Sequence, residues 1–285
     1  MLSSWSSARF WGSCSLERRA ELMKKPVYII FLIFFIVILS ACNNQNSEIK
    51  VKGVENVDVR NRHGSIEGIE RMIQFYDNIQ KGVPSNLRIV HYTTEGDPIL
   101  TDLSYDGEML EVKHDSTRDK YGSGETTKIN CGNLVEEVND TNTSYIAVEC
   151  DDGFYGMREI LKIDYNMSQL DLFEFELKYG LNQENEINTL TNTVKIENSN
   201  IGNLNITTEI KQEVYKKLVF ANYLADKDLT TTCDTESTKN YYLKVKINGG
   251  QREFKWGACD QSSDGMKFTN IANYIIEQSS KEHNE

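Results

Sequence analysis

The chain has 285 residues and a net charge of −12, with 43 acidic side chains against 31 basic ones. Such an acidic chain argues against nucleic-acid binding, because phosphates require a basic protein surface. The length is sufficient for one large domain or two modest ones. Hydrophobic residues make up 39% of the sequence and only three prolines are present, which is typical of a globular protein rather than a disordered one.

The most informative stretch is Met23–Cys42, which reads MKKPVYIIFLIFFIVILSAC. Two lysines form a positive n-region, and an apolar run of about 13 residues follows them. The last four residues, Leu39-Ser40-Ala41-Cys42, have the pattern of a lipobox, the signal that precedes attachment of diacylglycerol to a cysteine. The stretch predicts a lipoprotein signal peptide over 23–41. Cys42 is then the first residue of the mature protein, anchored by lipid on the extracytoplasmic face of the cell membrane.

The alternative for this stretch is a single N-terminal transmembrane anchor that is not cleaved. A spanning helix needs about 20 apolar residues to cross the bilayer, whereas the run here has the length of a signal-peptide h-region. The small residues Ser40 and Ala41 also favour cleavage. Both interpretations place the residues after Cys42 outside the cytoplasm and make the membrane a partner.

Residues 1–22 show no periodicity that indicates structure. Because a signal peptide normally starts with its charged n-region, we interpret residues 1–22 as an over-extended start and expect translation to begin at Met23. The alternative is that Arg18-Arg19 belongs to a twin-arginine export signal, although the rest of that motif is missing.

Residues 42–55 are polar and weakly patterned, and they predict a tether between lipid and fold. A first α+β domain is expected over 56–152. Its helix is predicted to be capped by Ser65 and to end before Gly82 and Pro84. One apolar stripe at helical spacing is expected to pack on a sheet and consists of Ile66, Ile69, Ile73, Tyr76 and Ile79.

Strands are expected on both sides of this helix, separated by turn signals such as Asp106-Gly107. The predicted strands are Val57–Arg60, Leu87–Tyr92, Ile99–Tyr105, Glu108–Lys113, Lys128–Val138 and Ser144–Cys150. With the helix, they predict an antiparallel meander covered by one helix.

A second α+β domain is predicted over 157–285, after a boundary near Gly153–Gly156. The expected strands are 159–165, 172–179, 194–197, 241–247 and 254–258. Two Asn-rich segments, 182–192 and 198–205, are expected to be loops. Helices are predicted from a cap at Thr208 and around 268–276. The predicted fold class is therefore α+β, with antiparallel sheets that each pack with one or two helices, in two small disulfide-stapled domains.

Four cysteines follow Cys42 and allow three disulfide connectivities. Their spacing favours two local pairs, Cys131–Cys150 and Cys233–Cys259, one in each half of the chain. Zinc binding is the alternative, but the sequence has no CxxC and no histidine near a cysteine. No metal or cofactor is predicted.

The loop Arg118–Gly124, RDKYGSG, mixes charge, a tyrosine and glycines on what should be a rigid scaffold. Loops of this kind often bind partners, so Arg118, Asp119, Lys120 and Tyr121 are candidate binding residues. A solvated turn is the alternative interpretation. The required length and lysine position are missing, which argues against phosphate binding of the P-loop kind.

Other polar and aromatic residues have ordinary structural interpretations as well. His63 could act as a general base, but no motif places a nucleophile beside it. The acidic residues Glu149, Asp151 and Asp152 could hold calcium, yet no EF-hand spacing follows. Aromatic residues between 241 and 256 favour a hairpin core over a sugar-binding platform. No catalytic residue is predicted.

Several separated motifs resemble one known family. They are Asp58-Val59, His63-Gly64, the helix, RIVHYTTEGDPILTDLSYDG and RDKYGSG with Cys131 and Cys150. In this order they are similar to domain-of-unknown-function family 4362 (DUF4362), over about residues 54–152. The family's DVV motif reads Asp58-Val59-Arg60 here, a departure at its third position. The resemblance implies an exported lipoprotein of bacilli and their relatives, and it implies no activity, cofactor or catalytic residue.

Two functions remain open from the sequence. The first is a non-catalytic surface module that binds a protein, a peptide or an envelope component. The second is a cell-envelope hydrolase with an unrecognised active site. The lack of a nucleophile–base motif or a metal-ligand motif favours the first.

Overall fold

A computed structural model describes residues 49–153, 156–197, 199–204, 206–233 and 238–281. The predictions for residues 1–22, for the signal peptide 23–41 and for Cys42 lie outside these residues. Within the described residues the chain forms 17 strands in mostly antiparallel sheets and three α-helices. The predicted α+β class is therefore confirmed.

The fold begins with a hairpin of strands β1 (Ile49–Val51) and β2 (Val54–Val57). Its valines Val51, Val54 and Val57 are buried against Val90 and Leu100 of the sheet that follows. Residues 49–55 are thus part of the fold and not of a tether. The polar residues between the valines hide this hairpin in the sequence pattern.

The first large sheet has six strands. They are β3 (Val59–Arg62), β4 (Ser65–Glu67), β5 (Ser85–Tyr92), β6 (Pro98–Tyr105), β7 (Leu110–Asp115) and β8 (Thr126–Cys131), in the spatial order β4-β3-β5-β6-β7-β8. Strands β3 and β5 are parallel, and the chain between them consists of β4, which runs back to the start of β3, and helix α1 (Ile69–Gln80). The other neighbours are antiparallel.

Helix α1 begins later than the sequence predicts. The predicted cap, Ser65, pairs instead with Arg62 across the turn His63-Gly64, as part of strand β4. Gly68 caps the helix with a φ of 79° and without a side-chain hydrogen bond. A Cβ at Gly68 would overlap the backbone carbonyl oxygen of Asp58, so close packing and positive φ both require glycine here.

The buried face of α1 also differs from the predicted stripe. Ile69 and Ile79 are buried as predicted, with Met72 and Phe75 between them. Ile73 is 36% exposed. The buried residues are still three or four positions apart, as expected of a helix. The helix is rotated about its axis relative to the prediction, so that Met72 and Phe75 face the core in place of Ile73.

A three-stranded sheet follows, with β9 (Asn133–Val138), β10 (Asn142–Val148) and β11 (Met157–Asp164) in the order β11-β10-β9. The sequence predicts one strand over 128–138, which is wrong. The chain changes sheets at Gly132, whose N–H donates to the carbonyls of Val148 and Glu149 at 3.1 and 3.3 Å. The two halves of the predicted strand therefore belong to β8 and β9, in different sheets.

The second large sheet also has six strands. They are β12 (Phe173–Gly180), β13 (Asn185–Asn188), β14 (Thr193–Ile196), β15 (Ser199–Asn203), β16 (Asn240–Ile247) and β17 (Gly250–Gly257), in the order β15-β14-β13-β12-β16-β17. Strands β13 and β15 lie in the two Asn-rich segments predicted as loops. The hairpin β16–β17 forms as predicted, with Tyr241 opposite Trp256.

Two helices accompany this sheet, α2 (Thr208–Phe220) and α3 (Ser263–Lys281). The cap of α2 is Thr207, whose hydroxyl accepts from the Ile210 N–H, one residue before the predicted cap Thr208. None of the helices in the described ranges is long and apolar enough to cross a membrane.

Helix α2 packs against both hydrophobic cores. Tyr215 and Val219 contact the core of each half, and the Phe220 ring lies 6.0 Å from that of Tyr165 between ring centroids. Strand β11 pairs with β10 and its apolar side chains lie in the first core. The predicted domain limits stay a prediction, but this pairing places residues 157–164 with the first half rather than the second.

Both predicted disulfides are present, Cys131–Cys150 and Cys233–Cys259, with sequence separations of 19 and 26 residues. The first joins the end of β8 to the turn after β10, where the chain changes sheets. The second joins the segment before β16 to the turn after β17. Cys131 is fully buried, whereas Cys259 is exposed.

We expect the Cys131–Cys150 bridge to contribute more to stability than the Cys233–Cys259 bridge. The double change Cys131→Ala and Cys150→Ala should lower the free energy of unfolding by about 2–5 kcal/mol. The loops are similar in length, but alanine at Cys131 also leaves space in a packed core. Urea unfolding of both double variants, followed by circular dichroism, measures the difference. A larger loss for Cys233→Ala with Cys259→Ala would contradict this ranking.

Candidate functional site

The loop that contains the predicted binding residues connects β7 to β8 and is closed at its base. The Ser116 N–H donates to the Glu125 carbonyl at 2.9 Å, and the Glu125 N–H donates to the Ser116 hydroxyl at 3.1 Å. Ser116 is buried. The residues between them therefore form an ordered excursion from the sheet rather than an open turn.

Two ion pairs tie the charged residues of this loop to the sheet and to a neighbouring turn. Arg118 donates to Asp115 at 2.9 Å. The Lys120 N–H and ammonium each lie 3.2 Å from carboxylate oxygens of Asp97, in the turn between β5 and β6. The backbone N–H and the ammonium of Lys120 lower the pKa of Asp97. The side chains of Arg118 and Lys120 thus both form ion pairs within the protein.

Tyr121 is the residue that the loop presents to solvent. Its side chain is 78% exposed, while its backbone N–H donates to the Asp119 carboxylate at 2.9 Å. An exposed tyrosine on an ordered loop offers a large contact area at low cost in conformational entropy, which is a common property of binding surfaces.

Beside the loop lies an open groove of about 550 Å³. It follows the face of the first sheet that the β1–β2 hairpin covers in part, and Arg118 borders it. Its remaining polar lining includes Glu55, Arg88, Asp102, Lys113 and Asp115. The groove is therefore polar and of mixed charge.

A forked ion pair orders the floor of this groove. The Arg88 guanidinium donates to both carboxylate oxygens of Asp102, at 2.6 and 3.0 Å, and to the Glu55 carbonyl of the hairpin at 2.9 Å. Lys113 is the cross-strand neighbour of Asp102. The Lys113 side chain is exposed and has no ion pair or hydrogen bond within the described residues. An open surface with fixed charges suits a protein or peptide better than an enclosed small molecule.

The ladder of charges in the groove is not visible in the sequence. Arg88, Asp102 and Lys113 lie on three different strands, and only the register of β5, β6 and β7 brings them side by side. Alternation within each strand shows that these side chains share a face of their own strand, but it does not give the register between strands.

The other candidate residues have structural surroundings. His63 lies exposed in the β3–β4 turn with a φ of 51°. Asp151 accepts from the Asn130 N–H and side-chain amide, both at 2.9 Å, and Asp152 pairs with Arg158 at 3.1 Å. Among the described residues, no group of three or more His, Cys, Asp or Glu is arranged to hold a metal ion.

Three aromatic residues of the β16–β17 hairpin lie in the core, namely Tyr241, Phe254 and Trp256. The Tyr241 and Trp256 rings are stacked, with centroids 5.1 Å apart, and both side chains are buried. Tyr242 lies on the other face, with the Lys178 and Lys255 ammonium groups 5.9 and 5.7 Å from its ring centroid. The buried pair has the place expected of hairpin core residues.

The region that carries the loop and the groove is also the region with a recognisable sequence family. Residues 56–146 match a family model. The family is Domain of unknown function (DUF4362). This confirms the resemblance over a stretch that covers less than half of the chain and runs from strand β2 into strand β10. Comparisons with curated proteins and with solved structures gave no match.

The DUF4362 stretch contains both partners that hold the loop in place, Asp97 and Lys120. We expect Asp97→Asn to loosen the loop, because the amide retains the shape of the carboxylate but not its charge. Amide hydrogen exchange over residues 116–125 should then become faster, as measured by mass spectrometry.

Asp106→Asn is the matched control for this exchange experiment. Asp106 also accepts from backbone N–H groups, at 2.9 and 2.8 Å, but it lies in the β6–β7 turn. Unchanged exchange over 116–125 in Asp97→Asn would contradict the prediction.

The contribution of Asp97 to stability depends on pH. Because the pKa of Asp97 is lowered in the folded protein, its stabilising effect is present at pH values above the ordinary carboxylate pKa. It is lost only as the pH falls through the lowered pKa.

Proposed function

We propose that this chain is an exported, lipid-anchored surface protein that binds a protein or peptide partner without catalysing a reaction. The observation that carries the binding part is the ordered loop at 116–125, which presents Tyr121 beside an open groove of mixed charge. The anchoring part is based on the lipobox at Leu39–Cys42.

Several observations support export. The two disulfides are typical of an oxidising environment outside the cytoplasm. The resemblance to DUF4362 implies an exported lipoprotein. The net charge of −12 would repel an anionic membrane surface, so the lipid on Cys42 would supply the attachment. A stable anchor requires more than one acyl chain, which diacylglycerol provides.

The geometry of the loop supports a macromolecular partner. Its charges are already satisfied by Asp97 and Asp115, so the surface is ordered before a partner arrives. Binding then costs less conformational entropy than it would for a mobile loop. Tyr121 supplies an aromatic anchor, and the exposed Lys113 supplies a charge for orientation. The hydrolase alternative stays untested, and no arrangement among the described residues favours it.

We expect diacylglycerol attachment at Cys42. Cells fed a palmitate analogue should label the wild-type protein, and Cys42→Ser should lose the label and its stable membrane attachment. The double change Cys233→Ser and Cys259→Ser is the matched control, because these two cysteines pair with each other beyond the lipobox and should leave labelling unchanged. Equal labelling of wild type and Cys42→Ser would show that the lipid is attached elsewhere.

We expect Tyr121 to contact the partner directly. A photo-crosslinking phenylalanine derivative at position 121 should give one discrete adduct on intact cells. The same derivative at Leu190, which is 53% exposed on the second half of the chain, is the control and should not give that adduct. With the purified partner identified from the adduct, Tyr121→Ala should weaken binding by about tenfold or more, as expected of an aromatic anchor.

Two results would contradict the proposed binding surface. One is the same set of adducts from positions 121 and 190, which indicates random collision. The other is unchanged affinity of Tyr121→Ala for the purified partner. Thermal unfolding of the variant serves as the folding control, since a residue that is 78% exposed should contribute little to stability.

A further inference from the structure

A row of polar side chains interrupts the apolar face of the first sheet. Residues opposite each other on antiparallel strands share a face. On the face that packs against α1, two neighbouring rows are apolar and consist of Tyr105, Leu110 and Cys131, and of Leu103, Val112 and Ile129. The next row is Thr101, His114 and Thr127. Thr101 is buried, His114 is half-buried and Thr127 is exposed, so it is the burial of the Thr101 hydroxyl that requires a reason.

This polar row forms one wall of a cavity of about 300 Å³, the lower end of the range for small-molecule sites. The opposite wall is strand β11, from Arg158 to Lys162. Val112, Ile129, Ile160 and Leu161 supply apolar lining. The cavity therefore lies where the six-stranded sheet and the three-stranded sheet separate, and it combines an apolar interior with a polar side.

Thr101 is the residue that points to a ligand. Its side chain is only 7% exposed, and its hydroxyl has no hydrogen-bond partner within the part of the chain that the structure describes. Among the described residues, no side-chain nitrogen or oxygen is both fully enclosed and without a partner. The Thr101 hydroxyl is therefore reached from the cavity it lines. A hydroxyl on a cavity wall without a protein partner bonds to whatever fills the cavity, which is water or a ligand.

The charged groups around the cavity are mainly basic. Arg158 and Lys162 lie on β11, and Arg158 is close enough to His114 to lower its pKa, in addition to the larger effect of burial. Glu159 is the only carboxylate among the described lining residues, and it accepts from the Ser144 hydroxyl at 3.3 Å. Asp152 pairs with Arg158 at 3.1 Å from outside the lining.

The two histidines that line the cavity, His91 and His114, differ in whether their rings already have hydrogen-bond partners. The His91 ring lies 3.5 Å from the Asn61 side-chain amide, so one of its ring nitrogens already has a partner within the protein. His114 has no hydrogen-bond partner within the described residues. His91 therefore supports the wall, while His114 has an N–H to offer to a ligand.

We propose that this cavity binds a small organic anion. The Thr101 hydroxyl, the His114 imidazole and the Arg158 guanidinium bind its oxyanion, and Val112, Ile129 and Ile160 contact its apolar part. Hydroxyl, imidazole and guanidinium donors together form a usual environment for a carboxylate. This site lies on the face of the sheet opposite the groove, so it is independent of the proposed binding of a protein partner.

The test uses the full chain in detergent with ¹³C-labelled histidine, because the sequence has only four histidines. Sodium butyrate should shift the His114 signal in a saturable way and leave that of His63, which does not line the cavity, unchanged. Inorganic phosphate lacks the apolar part and n-butanol lacks the charge. Each should bind at least about tenfold more weakly than butyrate if both parts of the site contribute about 1.4 kcal/mol.

Two variants and one control assign the effect to the cavity. Arg158→Gln and Thr101→Val should each weaken butyrate binding by about tenfold, the factor that corresponds to one lost hydrogen bond to a charged group. Arg252→Gln removes an arginine that also pairs with a carboxylate, that of Asp226 at 3.6 Å, but lies in strand β17 of the second large sheet, and should leave binding unchanged. If Thr101→Val does not fold, the Arg158→Gln variant, whose side chain is 48% exposed, carries the test.

Three results would overturn the proposal. If no butyrate concentration at which the protein stays folded and soluble shifts the His114 signal, the site is excluded. Equal binding of n-butanol or phosphate excludes the organic anion as its ligand. Equal weakening by Arg252→Gln places the effect outside the cavity. Since none of these experiments involves Tyr121, their failure leaves the proposed partner binding unaffected.

Discussion

The structure depends on the burial of strand β5 on both of its faces. Ile89 and Val90 are neighbours in sequence, point to opposite sides of the sheet, and are both fully buried. Each of the two faces of the strand needs another element packed on it to exclude water. Helix α1 and the three-stranded sheet cover the side of Ile89, and the β1–β2 hairpin covers the side of Val90. A central strand with two buried faces thus forces the chain into layers on either side of the first sheet.

Neither cover extends over the whole sheet, and this explains where the two concave sites occur. The hairpin reaches Val90 and Leu100 but leaves the neighbouring row, Arg88, Asp102 and Lys113, at an open groove. On the other side, strand β11 diverges from the sheet near His114 and leaves the smaller cavity. The charged row therefore borders the apolar contact with the hairpin on one face of the sheet. The row of Thr101 and His114 borders the apolar contact with the three-stranded sheet on the other face.

Local patterns predicted the local features of this fold well. The β16–β17 hairpin, both disulfides and the presence of all three helices follow from alternation, spacing and turn residues. The errors have physical causes. Ser65 is a good cap by composition, but the β3–β4 pairing takes it, and close packing on Asp58 requires Gly68 at the helix start. The run 128–138 alternates like one strand, although Gly132 passes it from one sheet to another.

The candidate sites were predictable only in part. The loop with Tyr121 stands out in the sequence by composition, because charge, aromatic and glycine residues occur together. The Arg88–Asp102 pair and the cavity behind Thr101 depend on strand register and on the path of β11, which no local pattern contains. Single-sequence patterns give the faces of strands, and the pairing of distant strands decides which residues meet.

The pairing of β10 with β11 shows that the fold extends beyond the family match. The match ends at residue 146, inside β10, whereas the strand that completes this sheet comes afterwards and brings Ile160, Leu161 and Ile163 into the first core. The segment that matches the family is thus shorter than the unit that folds. A fragment cut at the limits of the match would leave one edge of β10 unpaired and would expose the apolar side chains that β11 covers.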